Sequence, residues 1–114
     1  MSTDSTQSSA DEPIHITGSS HFDSVIEEHN LVLVDFYADW CGPCKMIEPT
    51  LEVLAQDTPV TVAKIDVDDQ QQMAHQHGVQ GVPTLKLYSG GEEVETMVGI
   101  QSEEQLRSLI QQHT

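Results

Sequence analysis

The two cysteines of the chain, Cys41 and Cys44, stand three positions apart with Gly42 and Pro43 between them. Thiols that close can hold a metal, form a structural disulfide, or cycle between dithiol and disulfide. A tetrahedral zinc site needs four ligands, and this pair supplies two. His75 and His77, two positions apart, point in different directions on a helix and make a poor second pair. A secreted disulfide scaffold carries four or more cysteines at wider spacings. The redox reading asks least of the rest of the chain, provided that local structure brings the sulfurs together and makes them unequal.

The flanking residues predict such a structure. "LVLVDFYA", Leu31 to Ala38, is an apolar run without alternation, which predicts a central strand covered on both faces. A helical pattern starts at Cys41 and runs through Ile47, Leu51 and Leu54, with Met46, Thr50 and Val53 beside them in one wide apolar face. Pro49 lies inside that helix and predicts a kink. Both cysteines then fall in the first turn, with Cα atoms roughly 5 to 6 Å apart, a separation that a disulfide tolerates. Cys41, at the helix start, meets unpaired backbone N–H groups and the positive end of the helix dipole. Both favour the thiolate, which is the nucleophile. Cys44 lies deeper in the helix. The asymmetry assigns Cys41 to attack a substrate disulfide and Cys44 to resolve the mixed disulfide.

Asp35 interrupts the central strand between Val34 and Phe36. A buried carboxylate costs several kcal/mol unless it is paired or protonated. Two readings stay open: an acid of raised pKa that moves the proton of Cys44, or one half of a structural ion pair with Lys64.

The other elements read as follows. "PIHIT" is a short strand, and a helix with Ser20 as N-cap and Asp23 in its first turn runs through Phe22, Val25 and Ile26 to about Asn30. A strand spans Val60 to Val67, and a short helix from Gln70 to His77 stops at Gly78. "PTLKLY" forms a strand that "SGG" turns into a hairpin with "EVETMV". Ser102 and Gln105 form a capping box for a last helix whose core face is Leu106, Leu109 and Ile110. The order β-α-β-α-β-α-β-β-α predicts an α/β fold with a central mixed five-stranded sheet flanked by four helices. Residues 1–12, rich in Ser, Thr, Asp and Gln, are expected to form a disordered tail to a single domain over 13–114.

"WCGPC" preceded by "VDFYAD" resembles the active site of the thioredoxin family. "KMIEP", "VAKIDVD", "GVPT" and "VGI" continue the resemblance in the same order, which makes it far more specific than Cys-x-x-Cys alone. The resemblance implies the thioredoxin fold and reduction of protein disulfides through a reversible Cys41–Cys44 disulfide. It implies that Asp35 is the buried acid that handles the Cys44 proton, with Lys64 beside it. It also implies a cis peptide before Pro83, with Val82 offering backbone hydrogen bonds to an extended client segment. Trp40, Gly42, Pro43, Val82, Pro83, Gly99 and Ile100 match the family's docking surface. Tyr37 stands where many relatives carry a second tryptophan. No cofactor is expected beyond the cysteine couple. No Gly-rich nucleotide fingerprint follows a strand, so electrons are expected from a separate thioredoxin reductase and pass to disulfide-containing client proteins. A redox-dependent binding module with the same docking surface is the alternative of another class. An oxidase or isomerase would need a higher potential than the "GPC" loop suggests.

Composition sets the surroundings. In 114 residues there are 19 acids against four strong bases, Lys45, Lys64, Lys86 and Arg107, for a net charge of −15. That excludes the basic footprint of nucleic-acid binding and disfavours an anionic membrane surface. No apolar run approaches the ~20 residues of a membrane span, and the N-terminus lacks the basic and apolar regions of a signal peptide. A cytoplasmic monomer is expected. So acidic a surface repels itself at low salt, and the composition resembles that of proteins from microbes with molar salt in their cytoplasm. Lys86 and Arg107 read as solvated surface charges.

Overall fold

A computed structural model describes residues 11–114. The expected tail therefore lies, but for Asp11 and Glu12, outside the described residues. The elements are β1 (Ile14–His15), α1 (Ser19–Glu28), β2 (Leu31–Tyr37), α2 (Gly42–Asp57), β3 (Thr61–Asp66), α3 (Gln71–Gln76), β4 (Thr84–Ser89), β5 (Glu92–Val98) and α4 (Glu103–Gln112). The strands form one mixed sheet in the order β1-β3-β2-β4-β5. β3 pairs in parallel with β1 and β2, whereas β4 is antiparallel to both β2 and β5. The expected order and class of the elements are therefore found.

β2 lies at the centre, and six of its seven residues are buried, which is why its sequence does not alternate. Leu31 and Leu33 join Val62, Leu85 and Leu87 on one face, packed against Ile47, Leu51 and Leu54 of α2 and Leu106 and Ile110 of α4. Val32, Val34 and Phe36 join Ala63 and Ile65 on the other, packed against Phe22 and Val25 of α1 and Met73 of α3. Asp35 follows Leu31 and Leu33 at a spacing of two, so it points to the face that α2 covers.

Local expectations needed three corrections. The N-cap of α1 is Gly18, not Ser20, and no side chain caps this helix. The Gly18 carbonyl instead accepts from the Phe22 N–H at 3.0 Å, which starts the helix two residues earlier. The apolar face of α2 is narrower than its composition suggests. Met46 is 69% exposed and Val53 37%, because a helix lying on a sheet buries a single stripe. Pro49 does lie inside α2, as expected, and it is exposed, so water can reach the carbonyl whose donor is lost. Lys86 is not solvated. It is buried on the α1 face beside Val34 and Thr96, and its ammonium donates to both carboxylate oxygens of Glu93 at 3.1 Å. Arg107 does lie at the surface, paired with Glu103 at 2.8 Å and Asp57 at 3.2 Å. The capping box of Ser102 and Gln105 forms as expected.

Candidate active site

β2 ends at Tyr37, and the chain turns through Ala38, Asp39 and Trp40 into α2. The Cys41 N–H donates to the Ala38 carbonyl at 3.2 Å, which ties the helix start to the end of the central strand. Cys41 is the N-cap of α2, and its sulfur accepts the Cys44 N–H at 3.1 Å. The backbone thus supplies a donor to the sulfur expected to become the thiolate. Pro43 falls in the first turn, where its missing N–H has no helical partner to lose. Cys41 and Cys44 are joined by a disulfide with a Cα–Cα separation of 5.3 Å. Both are buried, and with Ala38 they form a small cluster against which Tyr37, Val67 and Val82 pack.

Of the residues expected to dock a client, Val82 packs against this cluster, and Trp40, Gly42 and Pro43 flank Cys41 in the chain. The Val82–Pro83 peptide is cis. The Gly99 N–H donates to the Pro83 carbonyl at 2.8 Å, which brings the loop after β5 to the disulfide side. Gly99 has φ near 90°, a conformation that glycine adopts without the steric cost other residues meet. Trp40 is 71% exposed, and Ile100 is half-exposed. Trp40 and Val82, with Val67, Val79 and Gly81, line a shallow apolar cleft of about 140 Å³. A cleft that small accommodates a side chain of an extended segment and is well below the size of a small-molecule pocket. The Trp40 indole N–H donates to Asp68 Oδ2 at 2.9 Å, an anchor absent from the sequence reading. Gly42 and Pro43 are exposed beside it.

Asp35 is fully buried beneath α2, and neither carboxylate oxygen has a hydrogen-bond partner among the described residues. Lys64 is its lateral neighbour on β3, with the ammonium 3.9 Å from Asp35 Oδ2. The same ammonium lies 3.4 Å from Glu48 Oε2 and 4.3 Å from the centre of the Tyr37 ring. Burial pushes the Asp35 carboxyl up to about 7, against the pull of Lys64 and with reinforcement from the negative charge of Glu48. Burial also raises Tyr37, helped by Asp66, Asp39, Asp35 and Asp69. Both expectations for Asp35 therefore have a physical basis: it is near a lysine, yet its carboxyl is raised toward neutral pH. Lys45 is exposed one position after Cys44. Among the described residues, no group of three or more His, Cys, Asp or Glu side chains can hold a metal ion. Nor is any helix among them long and apolar enough to cross a membrane.

Two contributors escaped the sequence reading. Glu48 follows Cys44 by one helical turn, so the spacing alone places it over the sheet near Asp35. Asp68 carried no comparable signal, because its meeting with Trp40 spans 28 positions.

The family model described as Thioredoxin matches residues 13–112. The thioredoxin of Chlamydia pneumoniae is 46% identical over 101 residues, covering 88% of this chain and 98% of that one. A bifunctional thioredoxin reductase/thioredoxin of Mycobacterium leprae is 47% identical over 88 residues, or 75% of this chain and 19% of that protein. Among solved structures, a single-residue variant of thioredoxin from Halobacterium salinarum NRC-1 superposes with a TM-score of 0.90 at 52% identity. It covers 93% of this chain and 94% of that one.

Proposed function

The chain belongs to the thioredoxin family of dithiol–disulfide oxidoreductases, and we propose on that premise how its residues divide the reaction. The Cys41 thiolate attacks one sulfur of a client disulfide. A Cys41–client disulfide forms, and the second client sulfur leaves as a thiolate that takes up a proton. Cys44 then passes its proton to the Asp35 carboxylate, and its sulfur attacks Cys41 Sγ. The client's remaining sulfur leaves as a thiolate and is protonated in turn. Two electrons pass to the client, and the chain is left as the Cys41–Cys44 disulfide. A base near pH 7 suits this transfer, since it is partly ionised at neutral pH and still accepts a proton readily. Lys64 keeps that carboxylate from rising further.

Trp40, Gly42, Pro43, Val82, Pro83, Gly99 and Ile100 form the surface on which an extended client segment rests. The exposed Trp40, fixed by Asp68, is the anchor of that surface. A separate thioredoxin reductase returns the electrons, a partnership supported by the M. leprae relative in which both activities share one name. The protein works as a monomer in the cytoplasm, and its surface is adapted to molar salt. The net charge of −15 and the likeness to a thioredoxin from Halobacterium support that setting.

The observation that supports the mechanism best is an N-capping Cys41 joined to Cys44 in the first turn of α2, together with a buried Asp35 that lacks a hydrogen-bond partner among the described residues. Insulin reduction driven by dithiothreitol tests it. The protein is expected to accelerate precipitation of the insulin B chain. A redox-dependent binding module would leave the rate at that of dithiothreitol alone.

A further inference from the structure

One depression on the described surface does not open at the disulfide. It is a groove of about 620 Å³ on the edge of α2, whose wall includes His15, Glu48, Glu52 and Lys64. Lys64 and Glu48 line it, and Asp35 does not. The Lys64 ammonium thus lies between a sealed carboxyl and one that water reaches. It is nearer to the wet one: 3.4 Å from Glu48 with a hydrogen bond, against 3.9 Å from Asp35 without one.

We propose that Glu48 is a positioning residue for the resolving half of the reaction, drawing the Lys64 ammonium off Asp35 so that Asp35 keeps its proton to higher pH. The inference rests on the role assigned above to Asp35. Two effects act in the same direction. Among the described residues, Glu48 takes the one hydrogen bond that Lys64 directs to a carboxylate, so Lys64 stabilises the Asp35 anion by a longer, unbonded contact. Glu48 also adds its own negative charge, which further disfavours ionisation of Asp35. The other groups facing this site do not replace Glu48: Asp11 and Glu12, before β1, line the same groove, but among the described residues the carboxylates within 4.0 Å of the Lys64 ammonium are those of Asp35 and Glu48. From β3 there is Lys64 itself, and from β2 the Tyr37 ring, which meets the ammonium with its face. From β1, His15 pairs with Lys64 across the sheet and lines the groove. α2 contributes Cys44 one turn before Glu48 and Glu52 one turn after it. β4 opposes Asp35 with the apolar Leu85.

The wet carboxylate also makes the device sensitive to salt. Glu48 is 43% exposed and Asp35 is sealed, so molar salt screens the Glu48 charge more than the buried contact. The influence of Glu48 on Asp35 is therefore largest in dilute solution.

Carboxyl carbon NMR of the reduced full-length protein reads the Asp35 titration directly. Glu48→Gln is expected to lower its midpoint by roughly half a pH unit or more, the order expected for one nearby, partly screened charge. The difference from wild type is expected to shrink in molar salt. Glu52→Gln removes an equal charge from the same groove and is expected to move the midpoint less. The pH midpoint of the single-turnover resolution rate is expected to follow the NMR midpoint. An unchanged or raised midpoint in Glu48→Gln, or an equal shift in Glu52→Gln, overturns the inference. Asp35→Asn separates it from its premise: a variant that retains the pH limb of resolution refutes the role of Asp35, whatever Glu48 does to the NMR midpoint.

Discussion

Replacing Asp35 by Asn should make the stability of the fold less dependent on pH, with a sign opposite to that of an ordinary paired carboxylate. In the unfolded chain the carboxyl titrates at its ordinary value of 3.8, and in the fold at about 7. Between those values the folded state binds more protons than the unfolded state, so wild-type stability falls as pH rises through the window. At about 1.4 kcal/mol per pH unit, the span corresponds to a ceiling of roughly 4 kcal/mol lost by about pH 8. Solvent relaxation and the flexible Lys64 reduce that figure, and about 2 to 4 kcal/mol is expected. Asparagine removes the titration, but its amide meets the same buried surroundings, which offered the carboxyl no hydrogen bond among the described residues, and costs about 1 to 2 kcal/mol at every pH. The variant should therefore be somewhat less stable than wild type near about pH 4 and more stable near about pH 8, the two curves crossing between. Urea melts of the oxidised proteins at a fixed high salt concentration measure this directly. The histidines and other acids titrate in both proteins and cancel in the difference. A stability difference that is the same at both ends of the range would refute the reasoning, because Asp35 would then not change its protonation on folding.

Two further outcomes follow from charges elsewhere. Glu93→Gln leaves the Lys86 ammonium buried without its carboxylate and should cost about 1 to 3 kcal/mol by urea melt, less than a fully buried pair because Glu93 is partly exposed. Glu93→Gln combined with Lys86→Met should recover much of that loss, since the methionine needs no partner. The melting temperature should climb as potassium chloride is raised from about 0.1 M to about 3 M, as screening relieves the repulsion of a chain carrying −15. A flat curve would remove the case for salt adaptation.

The sequence carried the chemistry more plainly than the packing. Asp35 stood out because an acid inside an apolar strand has few explanations, and the Cys41–Cys44 spacing carries its own geometry. The capping box of Ser102 and Gln105 is local, so three positions suffice to recognise it. What stayed hidden depended on neighbours distant in the chain. Lys86 reads as a surface lysine until the register sets it between Val34 and Thr96, with Glu93 in reach. Met46 and Val53 fit a helical apolar face, yet only the sheet beneath α2 decides how wide a stripe is covered. Glu48 lay within the recognisable "KMIEP" segment, but its relation to Asp35 passes through Lys64, which the parallel pairing of β2 and β3 brings alongside. Gly18 in place of Ser20 as N-cap reflects a backbone hydrogen bond, for which no side chain is a signal.

The division of labour between the two sulfurs is the centre of the account, and trapping the mixed disulfide tests it most directly. Each single variant, Cys44→Ser and Cys41→Ser, is reduced, mixed with a disulfide-bearing protein and analysed by intact mass without reductant. Cys44→Ser should accumulate a covalent adduct through Cys41 that dithiothreitol releases, and Cys41→Ser should accumulate none. Adducts formed by Cys41→Ser as readily as by Cys44→Ser would contradict the assignment of Cys41 as the attacking sulfur.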